Sequence, residues 1–228
     1  MAAECRLHPE TEMPAPELLA RLEKLAASLV SDVFGRWAGS TGLAPVAALK
    51  PGQVVVGPAF TVRTRPGDNL VIHKALDLAR PGEIVVIDAG GGRERALLGG
   101  LMGQYATTRD IAALVVGGAV RDKSDLNRLS PPVFATGLNH LGPYKDGPGE
   151  LRGAVSIGGV SVSDGDIIVG DEDGIAVIPR ERLEEIVTLA EAKAAAEATE
   201  AAAIEAGTWD RRWIDTSLSV VTVLAANR

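Results

Sequence analysis

An arginine followed at once by an aspartate, Arg121-Asp122, with another carboxylate close behind at Asp125, is the group of residues in this chain best suited to chemistry. A guanidinium offers a planar fork of N–H donors that suits a planar anion, and a carboxylate supplies hard oxygen to a cation or a proton. By itself an Arg-Asp dipeptide is a surface pair worth little. Its setting makes the difference. Glu83 to Asp88 is a short β-branched run, hence a buried strand, and Gly90-Gly91-Gly92 follows at once. Ile111 to Val116 is a second such run, stopped by Gly117-Gly118, and Arg121-Asp122 lies just past its carboxyl end. Ligands of open α/β sheets bind outside the carboxyl ends of strands. Between the two runs, Arg93 to Thr107 reads as a helix interrupted by Gly99-Gly100. A glycine-lined helix start and the Arg-Asp pair are therefore expected at one pocket.

The elements that must position them follow from the pattern. Pro16 opens a helix in which Leu18, Leu19, Leu22, Leu25, Ala26 and Leu29 recur at helical spacing, and Ser31-Asp32 caps a short helix from Val33 to Trp37. Val54-Val55-Val56 and Ala59 to Thr64 read as two strands separated by Gly57-Pro58. Leu70 to Ala79 reads as a helix opened by Asp68 or Asn69, with His73 inside it in a core or capping role. Pro132 to Thr136 is a strand, and Gly137 to Gly149 is a loop holding His140 and Lys145, for which a pocket role is open. Ala154–Ile157, Val160–Val162, Ile167–Val169 and Ile175–Ile178 are hairpin strands, with Asp171-Glu172-Asp173-Gly174 as a turn rather than a metal loop. A long Ala/Glu helix runs from Arg182 to Glu205. Strands alternating with helices, then hairpins, define an α/β fold with a mixed sheet layered by helices. The expected organisation is an N-terminal arm over 1–16, one α/β domain over 17–190, and a C-terminal helix with a docking tail over 191–228 that carries Trp209, Trp213 and a late apolar run.

Composition narrows the function. At 228 residues, 46% hydrophobic and with only 4% aromatics, the chain fills its core with aliphatic residues. A net charge of −7 argues against nucleic acid as the main partner. Cys5 is the only cysteine, so no intrachain disulfide or Cys-based metal site forms, and a reducing cytoplasm fits. With three histidines, any metal is expected on oxygen ligands. No apolar run is long enough for a membrane span, and no leader pattern opens the sequence. The expected protein is cytoplasmic.

Several motifs taken together resemble the RraA-like family, which includes the 4-hydroxy-4-methyl-2-oxoglutarate (4-carboxy-4-hydroxy-2-oxoadipate) aldolases and the RNase E regulator RraA. They are Gly57-Pro-Ala-Phe-Thr-Val-Arg63, Gly67-Asp-Asn-Leu70 with His73, Ala96-Leu-Leu-Gly-Gly100, Gly118-Ala-Val-Arg-Asp122, Gly142-Pro-Tyr-Lys145 and Gly170-Asp-Glu-Asp-Gly174. The resemblance spans roughly Ser28 to Ile186. It implies a single-domain α/β/α sandwich of the swivelling β/β/α type, assembling as a homotrimer or homohexamer with sites between subunits. It also implies a class II (metal-dependent) pyruvate aldolase or oxaloacetate decarboxylase using Mg²⁺ or Mn²⁺, in which a metal-stabilised pyruvate enolate forms. On that pattern Asp122 holds the metal, Asp125 reaches it through a water, and Arg121 with Gly99, Gly100, Leu101 and Met102 binds a small 2-oxo acid. The family's aldolase motif is an acid, twenty residues, Arg-Asp, two residues and an acid. Gly100 stands where the leading acid belongs, and Asp125 supplies the trailing one. The departure at Gly100 favours decarboxylation slightly over cleavage of a bulky aldol. The alternative implied by the resemblance is a non-catalytic regulator that binds a ribonuclease.

Overall fold

The alternating strand and helix periods of the middle of the chain build one mixed sheet, and the later hairpins build a second β layer behind it. The computed structural model describes residues 2–35 and 39–221. In chain order its elements are β1 (Cys5–Leu7), α1 (Pro16–Leu22), α2 (Ala27–Val33), β2 (Ala44–Ala47), β3 (Val55–Thr64), α3 (Leu70–Leu78), β4 (Ile84–Asp88) and β5 (Ala96–Leu98). Then come α4 (Gly100–Thr108), β6 (Ala113–Val120), α5 (Lys123–Leu126), β7 (Val133–Leu138), β8 (Gly149–Leu151), β9 (Val155–Ile157) and β10 (Val160–Val162). The chain closes with β11 (Ile167–Asp171), β12 (Gly174–Ile178), α6 (Leu183–Glu205) and α7 (Arg212–Ser217).

The main sheet runs β1-β8-β3-β4-β6-β7-β2, with β3, β4, β6 and β7 parallel. Alternate residues of each strand face opposite sides, so one strand serves two cores. Val85 and Ile87 of β4 face α3, α4 and α5 with Ile72, Leu76, Leu97 and Met102. Ile84 and Val86 face the other way, onto Val155, Val162, Ile168 and Val177 of the second β layer. Behind that layer, Val169, Ala176 and Ile178 meet α1, α2 and the first turns of α6. The α/β class and mixed sheet expected from the pattern are observed. The layering is helices, sheet, hairpin layer and helices, and the outer helices pack on β11, β12 and the first half of β3, where Val56 joins their core.

Four local expectations change. The strand split at Gly57-Pro58 is a single ten-residue strand, β3. Its first half, Val55–Pro58, pairs antiparallel with β11, and its second half pairs parallel with β4. The Gly-Pro step is the changeover between layers, where a Cβ on Gly57 would stand 2.5 Å from the carbonyl oxygen of Gly82. The helix expected over Arg93–Thr107 is β5 followed by α4. Ala96, Leu97 and Leu98 are helix formers by propensity, but they are fully buried beside β6, and tertiary pairing overrides propensity. The first leucine-rich helix is broken between Leu22 and Ala27, where the Ala27 N–H is bound by the buried Asp171 carboxylate at 2.8 Å. α2 runs through the expected cap Ser31-Asp32 and ends at Val33, so no new helix starts there over 34–35, and Trp37 lies outside the described residues.

The N-terminal arm is stitched to its own domain. β1 pairs parallel with β8, and the His8 N–H continues the ladder to the Leu151 carbonyl at 3.0 Å. Arg80 fixes the next turn, donating to the Thr11 carbonyl at 2.9 Å while pairing with Glu83 at 2.7 Å and with Glu10. Glu83 belongs to a buried ionic cluster in which the Arg152 guanidinium lies 3.2 Å from Glu83 and 2.9 Å from Asp164, stacked 4.3 Å over the Phe60 ring. At the other end, α6 buries only Leu183, Ile186, Val187 and Ala190, and α7 buries no residue, leaving Trp213 58% exposed. The late apolar run is described only to Val221, which is exposed, and its remainder lies outside the described residues. Among the described residues, no helix is long and apolar enough to cross a membrane.

Candidate active site at the carboxyl ends of the central strands

Strand β6 delivers Arg121 and Asp122 beyond its carboxyl end, and β5 beside it delivers Gly99 and the start of α4. The Arg121 N–H donates to the Leu98 carbonyl at 3.0 Å, which sets the two strand ends in register. Asp122 then takes a left-handed conformation, φ 57°, that a non-glycine residue adopts only where its surroundings enforce it. The turn swings its carboxylate back over α4, where Oδ2 accepts the Gly100 N–H at 3.1 Å and lies 3.6 Å from Arg121 Nε. A carboxylate is favoured there by the positive end of the helix. Neither bond uses Oδ1. The Arg121 and Asp122 side chains are both nearly half exposed, at 42% and 43%.

Glycine makes this approach possible. A Cβ on Gly99 would collide with Asp122 Oδ2 and come within 2.9 Å of Arg121 Cγ, and one on Gly142 would stand 3.0 Å from Arg121 Nη1. Gly99→Ala is therefore expected to displace both charged side chains and to cut activity by about 10- to 100-fold, by the cost of misplacing reacting groups. Urea unfolding should move far less than turnover, and full activity in Gly99→Ala would show that the close packing is incidental.

Gly99, Leu101, Met102, Arg121 and Asp122 line one cleft of about 130 Å³. Gly100 and Asp125 do not line it. They face a second, shallower recess of about 250 Å³ that shares Leu101 and Asp122 with the first, and there Asp125 pairs with Arg128. A Cβ at position 100 would stand 2.9 Å from the Asp125 Cβ, so a side chain there would require Asp125 to shift.

The first cleft has residues that reading the sequence did not assign to it. Asn69 and His73 enter from the start of α3, and Pro143 and Lys145 from the loop after β7. The loop is pinned to the helix by backbone bonds from Asn69 N–H to the Tyr144 carbonyl, 3.0 Å, and from Tyr144 N–H to the Gly67 carbonyl, 2.8 Å. The fully buried Asp68 carboxylate accepts the N–H groups of Leu70 at 2.9 Å, Asp146 at 2.8 Å and Gly147 at 3.1 Å. Burial pushes the Asp68 carboxyl up, but these bonds and Arg65 outweigh it and hold it below its ordinary value. His73 is not a core residue. It is exposed, and partial desolvation of its ring, and then the charge of Lys145, lower its pKa despite the opposing Asp77. Asn69 Nδ2 donates to the Leu97 carbonyl at 2.9 Å, while its buried Oδ1 has no partner. A buried acceptor left open at the wall of a cleft is the mark of a ligand or water site.

A larger hollow of about 430 Å³ beside β8 is lined by Arg6, Arg63 and Arg65. Its charges are already matched, Arg6 to Glu4, Arg63 to Glu150 and Arg65 to Asp68 and Asp146. Among the described residues, no group of three or more His, Cys, Asp or Glu side chains forms a metal cage.

An Arg-Asp pair and a glycine helix start meet here at the strand ends of an α/β domain, the position at which such folds bind ligands. The RraA-like family model, described as Aldolase/RraA, matches residues 27–177, and the chain belongs to that family. A relative from Halalkalibacterium halodurans, provisionally named a 4-hydroxy-4-methyl-2-oxoglutarate aldolase, is 37% identical over 180 residues, covering 78% of this chain and 84% of the relative. Among solved structures, Streptomyces coelicolor RraAS2, described as an unusual member of the RNase ES inhibitor RraA protein family, superposes with a TM-score of 0.75. It is 25% identical, over 83% of this chain and 98% of that one. The Thermus RNA-processing inhibitor RraA superposes with a TM-score of 0.61 at 28% identity, over 67% of this chain and 92% of that one.

Proposed function

We propose that this protein is a divalent-metal-dependent lyase that releases pyruvate from 2-oxo acids, as a 4-hydroxy-4-methyl-2-oxoglutarate aldolase, an oxaloacetate decarboxylase or both. The observation that carries the reading is the Asp122 carboxylate, held in a left-handed turn beside Arg121 and open to a small cleft.

The donor set fits Mg²⁺ or Mn²⁺ better than a tightly caged metal. Such ions are held by one or two carboxylates, with waters and substrate oxygens completing the shell. Asp122 would be that carboxylate, and Asp125, in the adjoining recess and paired there with Arg128, would hold a water of the shell. When bound there, the cation supplies Lewis-acid stabilisation of the negative charge that develops on the 2-oxo oxygen. Arg121 pairs with the substrate carboxylate. The first-turn N–H groups of Leu101 and Met102, which no intrahelical carbonyl claims, add donors on the same side. Leu97, Leu98 and Met102 give the cleft an apolar wall that strengthens these charge interactions.

Pyruvate is expected from 4-hydroxy-4-methyl-2-oxoglutarate, from oxaloacetate or from both with Mg²⁺ present, and at least about 100-fold less with EDTA. Coupled assay or NMR detects it directly. Formation of pyruvate from neither substrate, with metal supplied, would refute the proposal. A second reading has its own support in the two RraA structures, whose descriptions name inhibitors of RNA processing. As a ribonuclease regulator, the protein would bind its target equally well in EDTA and with Arg121→Ala.

A further inference from the structure

We infer that His73 is the proton carrier of the cleft, taking a proton from the substrate hydroxyl during aldol cleavage and returning it to the methylene carbon of the product. The inference rests on the proposed lyase reading and assigns the acid–base group which that reading leaves open.

Four ionisable side chains line the cleft: Arg121, Asp122, Lys145 and His73. An arginine stays charged throughout the working range of pH. Asp122 is committed to the helix start and to the cation. A lysine ordinarily titrates far above neutrality. Histidine alone exchanges protons near neutral pH, which is the condition for efficient general acid–base transfer. Its ring makes no hydrogen bond to any described residue, so neither nitrogen is committed elsewhere. It also sits on a fixed element, since α3 is capped by Asp68 and tied to the Lys145 loop through Tyr144.

The charged groups around the ring favour the neutral form at the start of the reaction. Partial desolvation and then Lys145 oppose a second positive charge, whereas Asp77 on the same helix favours one. Asp77 is itself engaged, accepting the Tyr105 hydroxyl at 3.0 Å with Lys74 at 3.8 Å. Across the cleft, Arg121 adds positive charge and Asp122 negative charge. A neutral ring is ready to accept.

The step balances within the substrate and one side chain. His73 removes the proton from the C4 hydroxyl, the C4–O bond becomes a carbonyl, and the C3–C4 bond breaks. Its electron pair moves into the C2–C3 bond, and the charge goes to the C2 oxygen. The imidazolium then gives the proton to C3, yielding pyruvate and regenerating the neutral ring. No oxidant or co-reactant is needed. Decarboxylation needs no base for its bond-breaking step, because the leaving group is already an anion, so only the final protonation would pass through His73.

Three measurements on the full chain test this. In D₂O with Mg²⁺, the wild type is expected to exchange the methyl protons of pyruvate, and His73→Gln is expected to do so about 100-fold more slowly, the usual worth of a positioned acid–base group. Mg²⁺ affinity by calorimetry and the thermal midpoint should stay unchanged, because His73 holds neither the cation nor the core. In metal-free protein, the ring titration followed by NMR should have its midpoint below 6.5 and move upward in Lys145→Met. The low-pH limb of aldol cleavage should shift with it. Equal exchange rates in wild type and His73→Gln would overturn the assignment while leaving the lyase intact. Absence of both exchange and cleavage in the wild type would instead overturn the lyase reading, and this assignment with it.

Discussion

Asp122→Asn is expected to lower metal-dependent pyruvate release by at least about 10³-fold, equivalent to roughly 4 kcal/mol of transition-state stabilisation. Asparagine is the informative replacement. It tolerates the left-handed backbone at φ 57°, and its side-chain oxygen can still accept the Gly100 N–H, so the turn and the start of α4 should survive. What it removes is the negative charge that faces the cleft. Calorimetry should show the loss of Mg²⁺ binding, while circular dichroism and urea unfolding stay near wild type. Asp122→Ala confuses the two effects, since alanine at a positive φ strains the backbone. If Asp122→Asn kept wild-type turnover with Mg²⁺, the cation would have to sit elsewhere, and the assignment of this carboxylate would fail.

The second large effect concerns the fold. Arg152→Met should destabilise the protein by about 3–5 kcal/mol, read as a fall in the urea midpoint at constant slope. Arg152 is 3% exposed between Glu83 and Asp164, which are 1% and 4% exposed. Taking the guanidinium away leaves Asp164 in a dry interior without an ion-pair partner among the described residues, leaves Glu83 to Arg80 alone and removes the stack on Phe60. Burial lowers the Arg152 pKa, but the hydrogen bond and charge of Asp164, with Glu83, more than reverse this, so the cation persists at every accessible pH. The expected loss reflects broken pairing rather than a large net worth of the intact cluster. Replacing all three residues with apolar ones of similar volume should cost much less than the single change. A loss under about 1 kcal/mol from Arg152→Met would mean that water reaches the acids.

Part of this architecture was legible from residue types alone. The β-branched runs at Ile84–Ile87 and Leu114–Val116 read as buried strands because nothing polar interrupts them; the glycines after the first marked a turn, whereas β6 runs on through Gly117-Gly118, expected to stop it, as far as Val120. The Arg-Asp pair could be placed at a strand end for the same reason. Ala96-Leu97-Leu98 could not be recognised, because its strand exists only through pairing with β6, and its letters favour a helix. The Gly57-Pro58 step read as a gap between strands because the sequence does not show that β11 will cover one half of β3 and β4 the other. His73 and Lys145 stayed outside the site for a topological reason. They are distant in sequence, and only the hydrogen bonds of Gly67, Asn69 and Asp68 to the loop at 144–147 bring them to one wall.

The pairing of β1 with β8 imposes an order on biogenesis. Cys5 leaves the ribosome long before the residue it must lie against, Gly149, which is translated only after most of the sheet. Such distant closure is slow, because the entropy of the intervening loop is lost before any contact repays it. β1 must therefore wait unpaired while the centre assembles, and bulk added beside it would meet its test at the last stage of folding rather than the first.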